Sequence, residues 1–172
     1  MNNKTGKLKE INGALKPPDE LGGVFLPRGD KERFDIMFVA EMPTMIGPTS
    51  EKDINFNRTA RDMFLQEMMR KYGVAGSYVT DIVKECAKPG IPAGDKICKW
   101  RPFLLQEIEI IGPRAIVVLG RRTYESSFRP FVQPYIGASI IIDYVYHYCS
   151  QVPRRKFEER FAEVIGKIKS AP

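Results

Sequence analysis

The chain has 172 residues, 43% of them hydrophobic, enough for one globular domain with a sizeable core. Lysine and arginine number 27 against 21 aspartates and glutamates, a net charge of +6 that favours a polyanionic partner such as nucleic acid over a basic protein surface. Three widely spaced cysteines (Cys86, Cys98 and Cys149) without a CxxC pair argue against a disulfide framework and a tetrahedral zinc site, and read as free thiols of a reducing, cytoplasmic setting.

Residues 1–30 are polar, hold Pro17-Pro18 and Gly22-Gly23, and read as an extended lead-in with one short helix from Lys7 to Leu15. The segment has no apolar core of the kind a secretory signal carries, and no run approaches the ~20 apolar residues of a membrane span. Residues 31–172 read as a single domain. From Phe34 onward, apolar runs rich in β-branched residues alternate with amphipathic segments. The runs "FDIMFVA" (34–40), "SYVTDIV" (77–83), "RAIVVLG" (114–120) and "ASIIIDYVY" (138–146) predict strands buried on both faces. Helical spacing is found over 57–73, ending at Gly73, and over 99–112, ending at Gly112-Pro113. It recurs over 121–131 and over 153–168, where Pro153 suits a first helical position. This order predicts a three-layer α/β/α fold around a mostly parallel four-stranded sheet.

Open sheets of this class bind ligands beyond the carboxyl ends of their strands. Glu41 follows the first run, Asp81 falls within the second, Gly120 with Arg121 and Arg122 follows the third, and His147, the one histidine of the chain, follows the fourth. Three groups capable of acid, base or hydrogen-bond chemistry therefore converge on one predicted sheet edge.

The motifs "AEMPT" (40–44), "NFNRTARDMF" (55–64), "YVTDIVKEC" (78–86), "WRPFL" (100–104), "IIGPRAIVVLG" (110–120) and "HYC" (147–149) stand in an order that resembles the uracil-DNA glycosylase superfamily. The likeness is nearest to the branch whose members carry an iron–sulfur cluster, and it covers residues 34 to about 165. It departs from that branch at several points. Ala40 and Thr44 stand where the family has glycines, Asp81 where it has asparagine, and Tyr148 where proline follows the histidine. Of the four cluster cysteines only Cys86 has a counterpart, and Trp100 sits at another ligand position. One thiolate cannot hold a cluster that needs four, so the expectation is no cofactor and no metal, with Trp100 packed into the vacated space.

The resemblance implies hydrolysis of the bond between a base and its deoxyribose in single- or double-stranded DNA. Positive charge grows on the sugar and negative charge on the leaving base, and both need preorganised dipoles. Glu41 would face the sugar and orient a water, aimed by the turn at Pro43. His147 would donate to the departing carbonyl. Phe56 would stack on the flipped base or simply pack at a helix start, with Met42 beside the same pocket.

Asp81 would read the base edge or cap a loop. An ionised aspartate only accepts, whereas a protonated one both donates and accepts, and burial favours that form. Uracil, hypoxanthine and cytosine-like edges all stay open. Arg58, Arg61, Lys84, Arg121, Arg122, Arg154, Arg155 and Lys156 lie near the expected mouth as candidate phosphate contacts. Tyr148 or Val152 is placed to fill the gap left by an extruded base. The rival expectation is a binding module on the same fold that has lost catalysis. A monomer is expected in either case.

Overall fold

Why the chain folds as it does is clearest at its centre. In the computed structural model, which describes residues 3–14, 33–43, 60–84 and 91–171, four parallel strands stand in the order β2-β1-β3-β4. They are β1 (Arg33–Ala40), β2 (Ser77–Asp81), β3 (Ala115–Leu119) and β4 (Ile141–Val145). All five residues of β3 are buried, as an apolar run without alternation requires of an interior strand covered on both faces. β1 is the other interior strand, paired with β2 through Phe38 opposite Val79 and with β3 through Phe38 opposite Val117.

The two faces divide by parity. Ile36, Phe38, Ala40, Val117 and Leu119 point to a layer made by α2 (Ala60–Lys71) and α6 (Arg154–Ser170), where Phe38 stacks on Phe161 at 6.0 Å. Met37, Val39, Ile116 and Val118 point to the opposite layer, made by α1 (Asn3–Ala14), α3 (Gly94–Ile111) and the helical stretch after β3. That stretch runs α4 (Arg121–Thr123), a π-helical turn (Tyr124–Phe128) and α5 (Arg129–Phe131). The three-layer α/β/α expectation therefore holds, with an all-parallel sheet.

The connections explain the placement of the helices. β1 leads through α2 to a neighbour on one side, and β2 leads through α3 back across β1 to β3 on the other. A reversal of direction moves the crossover helix to the opposite face when the hand of the connection is kept. It also opens a crevice between the carboxyl ends of β1 and β3, the topological switch point.

Several boundaries differ from the sequence expectation. The lead-in helix is longer, Asn3–Ala14, and docks on α3: Leu8 is fully buried and Lys4 Nζ donates to the Ile111 carbonyl at 2.6 Å. α3 begins at Gly94 rather than at residue 99, and the added first turn buries Ile97 fully in the core. It ends as expected, at a left-handed Gly112 (φ 57°) whose N–H bonds Ile108. β4 is shorter than its apolar run, since Ile140 is already tied into a turn by its N–H to Gly137. No helix among the described residues is long and apolar enough to cross a membrane.

Candidate active site

The segments leaving the four strands build one edge. Beyond the end of β1 and β2 the ladder continues, with Ile82 N–H donating to the Ala40 carbonyl at 2.9 Å and Val83 N–H to the Glu41 carbonyl at 3.0 Å. This lacing fixes the backbone of Glu41, leaves its side chain half-buried, and buries Pro43 behind it. Asp81, buried at the end of β2, is the register partner of Ala40.

After β3 comes Gly120, at φ 121°, a conformation that side chains disfavour. A Cβ there would lie 2.9 Å from Thr123 Oγ1 and 3.4 Å from His147 Cβ, so glycine is what lets the loop after β4 approach. That loop turns on Ser150 N–H to the His147 carbonyl at 2.8 Å.

A cleft of ≈ 580 Å³ lies on this edge, walled by Glu41, Met42, Gly120, Arg121, Arg122 and the His147 loop. It sits at the crevice where the strand order reverses. A smaller pocket of ≈ 200 Å³ adjoins it across the same loop, between Arg61, Phe64, Tyr148 and Arg154.

The electrostatics of the two central groups are opposite in sign. Burial pushes the Glu41 carboxyl up from its ordinary value, while a hydrogen bond from Ser127 Oγ to Glu41 Oε1 at 2.9 Å and the Arg122 guanidinium pull it back. Burial pushes His147 down, with Arg61 acting in the same direction and Asp62 against it. His147 is thus a neutral imidazole near pH 7. Its Nδ1 accepts from the Cys149 N–H at 3.1 Å, which assigns the ring proton to Nε2.

Two side chains of the first turn of α2 hold this loop. Arg61 Nη1 donates to the Cys149 carbonyl at 2.9 Å, and the buried Asp62 accepts from the Tyr148 hydroxyl. Tyr148 also stacks on His147, with ring centroids 4.8 Å apart and planes at 16°. Burial pushes the Tyr148 hydroxyl far up, so it remains a donor, and burial likewise raises the Cys149 thiol.

Glu41, Met42, Arg121, Arg122 and His147 therefore share one cleft. Tyr148 and Arg154 border the smaller pocket, and Arg155 and Lys156 follow on the exposed first turn of α6. Tyr148 is anchored at both its ring and its hydroxyl, whereas Val152 lines both spaces. Asp81 is not among the residues lining either one. Phe56, Arg58 and Cys86 lie outside the described residues.

Lys84, expected at the mouth, is instead 3% exposed and paired at 2.6 Å with Glu107, itself fully buried. Glu107 also accepts from the Tyr78 hydroxyl at 2.7 Å and from Thr80. A buried lysine needs such a partner, and the partner comes from a helix that "YVTDIVKEC" gives no hint of.

Arg61, expected as a phosphate contact, lines the smaller pocket and also holds the His147 loop, whereas Ser127 and Asp62 carry no site role in the sequence reading. Asp62 had a signal, an acid in an otherwise apolar stripe, and Ser127 had none. Trp100 is half-buried, packs against the core of the α3 face and meets Phe103 edge-on at 6.3 Å. Cys98 is exposed, and Cys149 lies in the His147 loop. Among the described residues no three His, Cys, Asp or Glu side chains are grouped to hold a metal ion.

Residues 26–169 match the family model described as the uracil DNA glycosylase superfamily. No curated protein matches the chain.

Proposed function

The chain belongs to the uracil DNA glycosylase superfamily, and from that premise we propose that it hydrolyses the N-glycosidic bond of uracil, or of another deaminated or damaged base, extruded from DNA. The observation that carries this reading is the shared cleft at the switch point: a carboxylate and a neutral imidazole with its proton on Nε2 wall one cavity.

Each group suits one half of the charge separation. As the bond stretches, the sugar gains positive character and the base oxygen negative character. Glu41 faces the sugar, stabilises the cation and orients the attacking water. His147 donates from Nε2 to the base oxygen. Because the Cys149 N–H holds Nδ1, the imidazole needs no tautomeric change before it donates.

Arg122 at the cleft and Arg154 at the smaller pocket supply positive charge for the flanking phosphates, with Lys156 nearby, while Arg121 and Arg155, each paired with a glutamate one turn on, contribute less. Phe56 stacks on the extruded base, Met42 closes its pocket, and Asp81 reads its edge, a role that calls for the protonated acid if the base is uracil. The reading includes no iron–sulfur cluster. Trp100 packs against the core at one of the expected ligand positions, and Cys98 is exposed. The protein acts as a monomer in the cytoplasm.

The test is release of free base from oligonucleotides, single- and double-stranded, carrying uracil, hypoxanthine, xanthine, a mismatched thymine or cytosine. Release from at least one, lost in both Glu41→Gln and His147→Ala, is expected. Salt-sensitive DNA binding without release from any of them would leave a binding module on the same fold.

A further inference from the structure

The helical stretch after β3 is not a plain helix. Its middle turn, Tyr124–Phe128, is π-helical, closed by the Arg129 N–H on the Tyr124 carbonyl, five residues back. Pro130 gives the reason. It has no N–H for the Ser126 carbonyl, and its ring would press on that carbonyl in a regular α-turn, so the wider turn relieves both problems.

The widening has a consequence for Glu41. Residues five apart on an α-helix point about 140° away from each other, whereas the wider π-turn brings them closer to the same side. Arg122 and Ser127 are five apart, and both act on the Glu41 carboxylate, Arg122 through its charge and Ser127 through its hydroxyl. Ser127 is fully buried, so its one proton has no water to serve. An ionised carboxylate can only accept, which makes Ser127 the donor. Oε2 of Glu41 makes no hydrogen bond among the described residues and is left for the cleft.

We infer that Ser127 is a positioning residue for Glu41: delivered by the π-helical turn, its hydroxyl clamps one carboxylate oxygen and leaves the other for the cleft. The inference rests on the glycosylase reading for its catalytic meaning, but not for the interaction itself. Burial alone would favour the protonated acid, which can neither stabilise a cation nor take a proton from water. Ser127 and Arg122 oppose that burial. The other ionisable groups on the site are Arg121 from α4 and His147 and Cys149 from the loop after β4. On the β2 side stand Asp81 and Lys84, the latter neutralised by Glu107.

The experiment compares wild type, Ser127→Ala and Ser127→Thr. Base release is followed as kcat/KM against pH on the oligonucleotide that wild type cleaves best. Ser127→Ala is expected to move the acid limb up by about one pH unit, the effect of losing one hydrogen bond to a charged group, and to lower kcat about tenfold. Ser127→Thr keeps the hydroxyl and should restore the wild-type limb. Superimposable profiles for wild type and Ser127→Ala would overturn the proposal.

A second measurement does not depend on catalysis. Carboxyl-carbon NMR of the glutamates, with Glu41 assigned through Glu41→Gln, reads the Glu41 titration in the free protein. A midpoint raised in Ser127→Ala is expected, and an unchanged midpoint overturns the clamp. If wild type releases no base, the glycosylase reading fails alone and this titration still decides the Ser127 interaction.

Discussion

Glu41 and Glu107 are two carboxylates drawn into the same half of the molecule, and their surroundings could hardly differ more. Glu107 is fully buried in α3 and takes hydrogen bonds from Tyr78, Thr80 and Lys84, so both of its oxygens are occupied and its charge is balanced at 2.6 Å. Lys84 in turn donates to Thr80 at 2.5 Å and to the Asp81 carbonyl at 2.6 Å, closing a network between β2 and α3. Glu41 is half-buried at a cleft, has one hydrogen bond on one oxygen, and is held against its own burial by a serine and a more distant arginine. A satisfied carboxylate holds a fold together. One that is partly satisfied and borders a cavity is available for chemistry, and that difference is why the proposal gives the reaction to Glu41 rather than to Glu107.

The sharpest way to break this comparison is to remove one charge from the buried pair. Lys84→Met should lower the free energy of unfolding by about 3–5 kcal/mol, because Glu107 would be left charged and unpaired without access to water. Urea denaturation measures it, and a loss below about 1 kcal/mol would mean the network is not the anchor its geometry implies. Any fall in base release should then follow the fraction folded.

Glu41→Gln should behave in the opposite way. Base release is expected to fall about 10²–10⁴-fold with the fold intact. Burial raises the folded-state pKa of Glu41, so its favourable contribution to stability is present below the unfolded value and is lost as pH rises through the folded one. The Gln variant, which never ionises, should therefore gain on wild type in denaturation midpoint as pH rises across that window. A midpoint difference that is flat with pH would count against the raised value.

His147 offers a third contrast, since its shift runs the other way. His147→Gln should lower base release by about 10²–10³-fold, the usual effect of losing one donor to a developing oxyanion. Burial depresses the folded-state pKa, so the histidine's contribution to stability is complete above the unfolded value and is lost as pH falls through the folded one. Wild type should lose stability on acidification faster than the variant, and a proton NMR titration of the imidazole should find its midpoint below that of free histidine.

Much of this edge is legible in the sequence, and the reason is physical. Strands buried on both faces leave unbroken β-branched runs, so β1 and β3 and the residues that follow them can be found by inspection. A carboxylate at the end of such a run is out of place in sequence and stays so in space. The groups that escape such a reading depend on side-chain partners from distant elements. Lys84 looks like a surface base because its partner lies 23 positions away on α3, and Ser127 looks like filler because a π-turn changes which face of a helix it occupies. Helical periodicity cannot register either effect, since one is tertiary and the other is a departure from the period itself.

The smallest expected effect tests the charge on the rim. Arg154 lies 4.9 Å over the Phe64 ring and lines the pocket next to the His147 loop, whereas Arg155 reaches forward to Glu159 at 2.8 Å one turn along the helix. An arginine already neutralised by a neighbour has less charge to offer a phosphate, and an exposed pair of that kind adds little to stability. Arg154→Ala should reduce the slope of log binding constant against log salt by about 0.9, the value for neutralising one phosphate fewer on duplex DNA. Arg155→Ala should change it by much less. Equal slopes for the two variants would assign the DNA path to the outer face of α6 rather than to the pocket edge. That outcome would move the strand away from Val152 and weaken the case that the His147 loop enters the gap left by the extruded base.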